Sequence, residues 1–198
     1  MSAQPEPEAA GVDIWTAGGP WEFSRETVIT GPPAESLYRL YRRSFDPLGR
    51  RAAARQVLTR GEFFSEMEDH RIDKYIAWEN EEGPVGMITV TRHLEAVPWI
   101  SPEYYAARFP EQWSRRAIYY LGFTLVRPGI RRTGFLETVT RMCIEPLISE
   151  KAVLAYDVCG YNRDALGFAD LFADTFQQHA HTRPRELDTQ VYYAVNFA

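Results

Sequence analysis

The 198-residue sequence has few cysteines, few lysines, no long apolar run and no excess of positive charge. Its two cysteines, Cys143 and Cys159, fall on a predicted helix and at a predicted strand end, which argues against a disulfide framework. No segment approaches the roughly 20 apolar residues of a membrane-spanning helix. Residues 1–12 lack the basic and apolar regions of a signal peptide. We therefore expect a cytoplasmic protein without a membrane partner.

The charge balance is acidic. The formal net charge is −5, and lysine occurs only at Lys74 and Lys151, so arginine supplies the other basic residues. Coding bias explains this preference most simply, since both residues are acceptable on a surface. A negative net charge gives no support for nonspecific nucleic-acid binding, which requires a basic surface. We expect no nucleic-acid partner and a slight preference for cationic ligands.

Apolar residues are plentiful enough for one core. They make up 45% of the chain and include five Trp, eleven Tyr and eleven Phe. A chain of this length is most often a single domain with an irregular end. We predict a mobile tail over residues 1–12, where little apolar surface can be buried, and one domain over residues 13–198.

The alternation of apolar and polar residues predicts a mixed sheet with helices on both faces. In the middle of the chain a strand, a helix and a second strand follow one another, which requires a parallel pair of strands. These three elements span Ile118–Val126, the segment up to Leu147, and Ala152–Cys159, and Pro146 is expected to end or kink the helix. The other predicted elements are a strand (21–30), a helix (35–45), a ragged helical region (51–70) that Thr59 or Ser65 could cap, a hairpin (72–94), a helix capped by Asn162 or Asp164, and a closing strand (189–198).

An aromatic insertion precedes residue 118. It is divided by prolines, and Ser101-Pro102-Glu103 is typical of a helix start. A solvent loop has no use for so many large side chains, so we expect them to pack on the core or to line a cleft. They are Trp99, Tyr104, Tyr105, Phe109 and Trp113.

The joint between strand 118–126 and the following helix is the clearest candidate for a binding site. Free backbone amides at a helix start favour a phosphate group. Here the amides of residues 132–136 would face it, Arg131 and Arg132 would neutralise its charge, and Gly134 would allow close approach. The pattern therefore predicts a site for a ligand that carries a pyrophosphate.

This joint resembles the turn of the GCN5-related N-acetyltransferase (GNAT) family. The matching residues are Val126 and Pro128 at the strand end, then Arg131, Gly134 and Leu136 at the three motif positions. The order of elements agrees with the family from about residue 21 onward. The resemblance implies an α/β (α+β) fold with a GNAT-like, mixed and mostly antiparallel central sheet, helices on both faces, and a parallel strand pair at the CoA cleft.

The resemblance also implies acetyl-CoA, or another acyl-CoA, as co-substrate and no metal. The acyl group would pass directly from CoA to the amine of a small molecule. The pantetheine arm would lie beside the strand end, and the thioester would sit where strands 118–126 and 153–158 separate. The implied cofactor-binding residues are Leu125, Val126, Arg131, Arg132, Thr133, Gly134, Phe135, Leu136 and Asn162.

Two departures from the family concern catalysis. Ala169 stands where many members have a tyrosine that protonates the thiolate, so Tyr161, water or another side chain would have to do so. Tyr119-Tyr120 stands where many have a glutamate base, and only one of these tyrosines can reach a cleft because they point to opposite faces. The catalytic candidates are therefore Tyr120, Asp157 and Tyr161, with Glu103 and His93 as further possible bases.

Several of these residues have ordinary structural explanations. Asp157 is also typical of a hydrogen-bonded structural carboxylate, and His93 of a solvated side chain. Cys159 lacks an evident His–Asp partner and is typical of a small buried side chain. His179 and His181 lie two residues apart without further ligands, so we predict no metal site.

Three functions remain open from the sequence. The first is a small-molecule N-acetyltransferase, and a homodimer is possible. The second is a catalytically degenerate, CoA-binding regulatory domain. The third is an acyltransferase for longer acyl chains or for a carrier-protein donor, whose acidic surface Arg127, Arg131 and Arg132 would meet. Fold alone does not decide among them.

Overall fold

The computed structural model describes residues 13–16, 21–54, 57–79, 82–130 and 132–197; side chains at 13–16, 132–137, 139 and 140 are not described. The strands are β1 (Asp13–Thr16), β2 (Trp21–Glu26), β3 (Ile72–Glu79), β4 (Gly83–Thr91), β5 (Ile118–Val126) and β6 (Val153–Tyr156). The helices are α1 (Gly31–Phe45), α2 (Arg60–Glu68), α3 (Pro102–Arg108), α4 (Pro110–Ser114), α5 (Arg132–Ser149), α6 (Gly160–Asp164) and α7 (Phe168–Ala180), with short 3-10 turns at Asp46–Arg50 and Leu94–Ala96.

The strands form one six-stranded sheet in which spatial order follows chain order. Neighbours from β1 to β5 are antiparallel, and β5 and β6 are parallel. This confirms the predicted mixed, mostly antiparallel sheet with its parallel pair. Strand β1 was not predicted.

Each face of the sheet buries its own core. On one face α1 and α2 cover side chains of β3, β4 and β5, and the fully buried members include Leu37, Phe63, Met67, Ile76 and Met87. On the other face α5 contributes Cys143 and Leu147 against Tyr75, Val85, Val90 and Tyr119. Alternation along each strand produces this division, because successive side chains point to opposite faces.

The helix starts follow from local sequence. Helix α1 begins at Gly31, four residues earlier than predicted, because prolines are tolerated in a first helical turn. Thr59 and Glu62 form a capping box at α2, where each side chain accepts from the other residue's amide. Ser101 accepts from the Tyr104 amide and starts α3, as the sequence predicted.

Four predicted elements differ from the structure. Residues 189–197 form no strand, although their alternation is strand-like, because no neighbouring strand pairs with this part of the described chain. Tyr193 and Phe197 are 90% and 93% exposed. Pro146 does not end α5, which continues to Ser149. Gly167, with φ of 64°, separates α6 from α7 where one helix was predicted. Among the described residues of the 51–70 region, only α2 (Arg60–Glu68) is helical.

Two further expectations concern the chain ends and the membrane. The predicted tail, residues 1–12, lies outside the described residues. Within the described part of the chain, no helix has both the length and the apolar character needed to cross a bilayer.

Candidate functional site

The parallel strands β5 and β6 stop pairing partway along β5. They are paired from Ile118 opposite Val153 to Leu121 opposite Tyr156, and β5 then continues alone to Val126. On that side, residues 122–126 have no strand partner among the described residues. A cleft of about 2250 Å³ opens beside this separation, lined by residues of α2, the aromatic insertion, β5 and the segment after β6.

A β-bulge shapes the floor of the cleft at the point of separation. Ile88 lies opposite Thr124 and Val90 opposite Leu121, so Gly122 and Phe123 together face Thr89. The Phe123 amide donates to Thr89 Oγ1 at 3.1 Å. A Cβ on Gly122 would lie 2.7 Å from that same oxygen, so the bulge requires glycine here.

The structure brings together two of the predicted catalytic residues. The Tyr120 hydroxyl donates to Asp157 Oδ1, and Trp99 Nε1 donates to both the Tyr120 hydroxyl and Asp157 Oδ1, at 3.3 Å each. Tyr120 is 1% exposed, whereas Asp157 is exposed at the end of β6. Burial, and then the negative charge of Asp157, raise the pKa of Tyr120 far above its usual value. Tyr120 is therefore a neutral hydrogen-bond donor and a poor source of protons.

Aromatic side chains of the insertion form one wall of the cleft. Trp99 and Tyr105 meet Tyr120 edge-on, with ring centroids 6.4 Å and 6.5 Å away. The Tyr104 hydroxyl donates to the Leu187 carbonyl at 3.1 Å, which brings the C-terminal segment to the same cleft. Trp113 does not line the cleft and is 45% exposed.

The third predicted catalytic residue, Tyr161, lies in α6 and also lines the cleft. Its hydroxyl accepts from Arg51 Nη1 at 2.7 Å, and the guanidinium lies 4.8 Å from the ring centroid. Neighbouring Asn162 is partly exposed in α6, and the free thiol of Cys159 precedes that helix.

A tight turn precedes α5 at the place where the sequence predicts a pyrophosphate site. Arg127-Pro128-Gly129-Ile130 is a tight turn closed by the Ile130 amide and the Arg127 carbonyl at 3.2 Å, with φ of 87° at Gly129. Helix α5 begins at Arg132, two residues later. Arg131 and the side chains of residues 132–137, which hold the predicted Arg132, Thr133, Gly134, Phe135 and Leu136, lie outside the described part.

The described strand-end residues have buried or occupied side chains. Leu125 is 1% exposed in the core under α1 and α2, and Val126 packs against the core under α5, so each would offer a ligand only its backbone. Arg127 forms ion pairs with Glu79 and, at 3.3 Å, with Glu82. Its charge is therefore already neutralised within the protein.

Sequence reasoning missed one carboxylate in the cleft, Glu66 of α2. It is mostly buried and lines the cleft, and its Oε1 lies 3.7 Å from the position that a Cβ on Gly122 would occupy. Burial raises the pKa of Glu66 to about 7, against the lowering effects of Lys74 and of the Thr89 hydroxyl. No sequence signal marks it, because Glu66 reaches β5 only through packing of the helix on the sheet.

The other predicted bases lie elsewhere. His93 Nδ1 is 3.2 Å from Glu95 Oε1, and Glu103 accepts from Ser101 at the start of α3. Neither lines the cleft. Within the described residues, no group of three or more His, Cys, Asp or Glu side chains is placed to hold a metal ion.

Comparison with known proteins gives a likeness of fold. No protein-family profile matches the chain, and no curated protein matches it in sequence. Similar solved structures include an aminoglycoside acetyltransferase from an uncultured soil metagenomic sample in complex with trehalose, with a TM-score of 0.52, 12% identity, and coverage of 89% of this chain and 97% of that one. The same enzyme in complex with sisomicin gives a TM-score of 0.50 and 14% identity, covering 89% and 97%.

A second acetyltransferase shows the same likeness. The aminoglycoside 6′-N-acetyltransferase from Acinetobacter baumannii gives a TM-score of 0.51 and 11% identity, covering 90% of this chain and 99% of that one. At these identities the likeness concerns the fold, and it extends over nearly the whole of each chain.

Proposed function

We propose that this protein is an acyl-CoA-dependent N-acyltransferase, most simply an N-acetyltransferase, that acts on the amine of a small molecule. The observation that carries the proposal is the separation of β5 and β6 after Leu121, beside a tight turn that leads into α5. An open strand edge offers backbone hydrogen bonds to an extended pantetheine arm, and a helix start offers amides to a pyrophosphate. The likeness to acetyltransferase structures supports the same reading.

The residues around the separation suit a direct transfer. A neutral amine attacks the thioester carbonyl, the carbon–sulfur bond breaks, and the departing thiolate takes up a proton. Tyr161 is our candidate donor of that proton, because it lines the cleft and Arg51 holds its hydroxyl oxygen in place. Protonation of the thiolate by Tyr120 is disfavoured by the raised pKa of that phenol.

Asp157 and the aromatic wall suit a cationic acceptor. The hydrogen bonds from Tyr120 and Trp99 both fall on Asp157 Oδ1, which leaves Oδ2 to receive an ammonium group. Trp99 is 50% exposed and Tyr105 is partly exposed, so their faces can pack against a ring of the acceptor. We propose an amine-bearing, ring-containing molecule as the acceptor, present with the protein in the cytoplasm.

Two other functions are less well supported. An acyl-carrier protein would need free arginines at the turn, and Arg127 is engaged by Glu79 and Glu82. The second alternative, a CoA-binding domain without turnover, is distinguished by the following experiment.

The test is release of free CoA thiol from acetyl-CoA and from longer acyl-CoAs with a panel of amines, together with calorimetric binding of each thioester. We expect tight binding of at least one thioester and amine-dependent thiol release. Gly134→Trp should abolish binding while the circular dichroism spectrum is unchanged, because a large side chain would block the helix start. Failure of every thioester to bind would overturn the proposal, and binding without thiol release would leave a regulatory domain.

A further inference from the structure

We infer that Glu66 is the general base of the site, and that its carboxylate reaches the start of the gap between β5 and β6 beside Gly122. The inference rests on the proposed acyltransferase function and adds the residue that accepts the amine's proton. It assigns a role in catalysis to helix α2, which contributed no candidate from the sequence.

The first argument is position. Pairing of β5 with β6 ends at Leu121, and Gly122 is the next residue, so the gap begins at Gly122. Glu66 Oε1 lies 3.7 Å from where a Gly122 side chain would start. The carboxylate thus lies in van der Waals contact with this position at the start of the gap, although its own backbone belongs to α2.

The second argument concerns what surrounds the carboxylate. Thr89, on the neighbouring strand β4, hydrogen-bonds to Glu66, and its hydroxyl also accepts from the Phe123 amide of the bulge. Lys74 of β3 is fully buried, and its Nζ donates to the carbonyls of Thr27 and Asp69 at 2.6 Å and 2.7 Å. Thr89 thus orients the carboxylate and Lys74 places a positive charge near it, while Glu66 still lines the cleft.

The charged groups near Glu66 favour proton exchange near neutrality. The charge of Lys74 lowers the pKa of Glu66 and that of Asp69 raises it, but burial is the largest cause and the result is about 7. Burial in turn lowers the pKa of Lys74 to about 8, so Lys74 is still mostly charged when Glu66 ionises. A base whose pKa lies near the working pH is in the useful range for taking a proton from an ammonium group.

The proton balance of the step is simple. The acceptor's ammonium gives one proton to the Glu66 carboxylate and becomes a nucleophilic amine. The amine nitrogen forms a bond to the acyl carbon as the carbon–sulfur bond breaks, and the electron pair of that bond remains on sulfur. The nitrogen then releases a second proton to solvent, which leaves the neutral amide. The proton on Glu66 then passes to solvent, while the thiolate is protonated separately.

Two other carboxylates of the cleft are less suited to this step. Asp157 is exposed and already accepts two hydrogen bonds on Oδ1. Glu62 is engaged in the capping box at the start of α2. Glu66 is the carboxylate nearest to the start of the gap in the described chain.

The test compares Glu66→Gln with Glu68→Gln, a matched control on the exposed side of the same helix and outside the cleft. We expect kcat/KM of Glu66→Gln to fall about 100- to 1000-fold and its acidic limb near pH 7 to disappear, as for loss of a general base. The dissociation constant of acetyl-CoA should stay within about twofold, and Glu68→Gln should behave like the wild type. Carbon-13 NMR of labelled glutamate carboxyls should show one group titrating near pH 7 that Glu66→Gln removes.

The outcomes separate the two proposals. A variant Glu66→Gln that retains full activity and the acidic limb would overturn the role of Glu66 and leave the acyltransferase proposal standing. A glutamate signal near pH 7 that survives Glu66→Gln would also overturn it. Absence of turnover in the wild type with every amine and thioester would overturn both.

Discussion

Replacement of Glu66 by glutamine should change how stability depends on pH, whether or not the protein is an enzyme. Glu66 is mostly buried on α2 against β4 and β5, and burial raises its pKa from 4.5 to about 7. In the unfolded chain the same carboxyl titrates at its ordinary value. Between these two values the folded state holds a proton that the unfolded state has released. The contribution of Glu66 is therefore most favourable at low pH and is lost as pH rises through the folded-state value.

The expected size of this effect follows from the two pKa values. Each unit of pKa shift corresponds to about 1.4 kcal/mol, so the wild type should lose roughly 2 to 3 kcal/mol more than Glu66→Gln between about pH 5 and pH 8. The difference between the two proteins cancels the other titrating groups, except for Lys74. Loss of the negative charge also removes a partner that raises the pKa of Lys74. This correction acts mainly below about pH 8 and adds to the divergence between the two proteins.

The measurement is urea denaturation of both proteins at several pH values, followed by circular dichroism. The free energies of unfolding should diverge as pH rises, with Glu66→Gln the more stable above neutrality. Glu68→Gln should follow the wild type throughout, because Glu68 is exposed. Parallel curves for the wild type and Glu66→Gln would refute the reasoning, since they would mean that the carboxylate is as well solvated in the folded state as in the unfolded chain.

Two other substitutions test neighbouring parts of the structure. Lys74→Met should lower the free energy of unfolding by about 2 to 4 kcal/mol in urea denaturation, because the Thr27 and Asp69 carbonyls would lose a buried donor; a loss under about 1 kcal/mol would contradict this. Tyr120→Phe should raise KM for the amine roughly 10-fold and leave that for acetyl-CoA unchanged, because the Asp157 carboxylate would lose a hydrogen bond that orients it. Steady-state kinetics in both substrates measure this, and an equal loss in both would place Tyr120 elsewhere in the reaction.

Much of the fold could be predicted because its signals are local. The bounds of β5 agree with the apolar run Ile118–Val126, and Thr59 and Ser101 start helices as side-chain caps do. Local sequence patterns gave wrong predictions where a strand depends on pairing with a neighbouring strand. The 189–197 segment alternates like a strand, but a strand also needs a neighbour to satisfy its backbone groups, and no pattern within the segment reports one.

Some residues of the candidate site could likewise be predicted from local sequence, and others could not. Tyr120 and Asp157 could be identified because the strand–helix–strand unit places both near the parallel pair, where Tyr120 lies opposite Ala155. The hydrogen bond between Tyr120 and Asp157, and the contacts of Trp99 with both, could not be predicted, because they depend on how the aromatic insertion packs against the sheet. Glu66 could not be identified from the sequence. It lies close to Gly122 only because α2 packs on the sheet, and the two residues are 56 positions apart in the chain.

The agreement between strand order and chain order has a consequence for synthesis on the ribosome. Four strands, β2 to β5, pair with their immediate predecessors before residue 127, so most of the sheet can assemble while α5 is still being made. During that interval Tyr75, Val85, Val90 and Tyr119 have no helix over them, since Cys143 and Leu147 arrive later. The nascent chain therefore presents an uncovered apolar face, a surface of the kind that chaperones bind, until α5 emerges and packs against it.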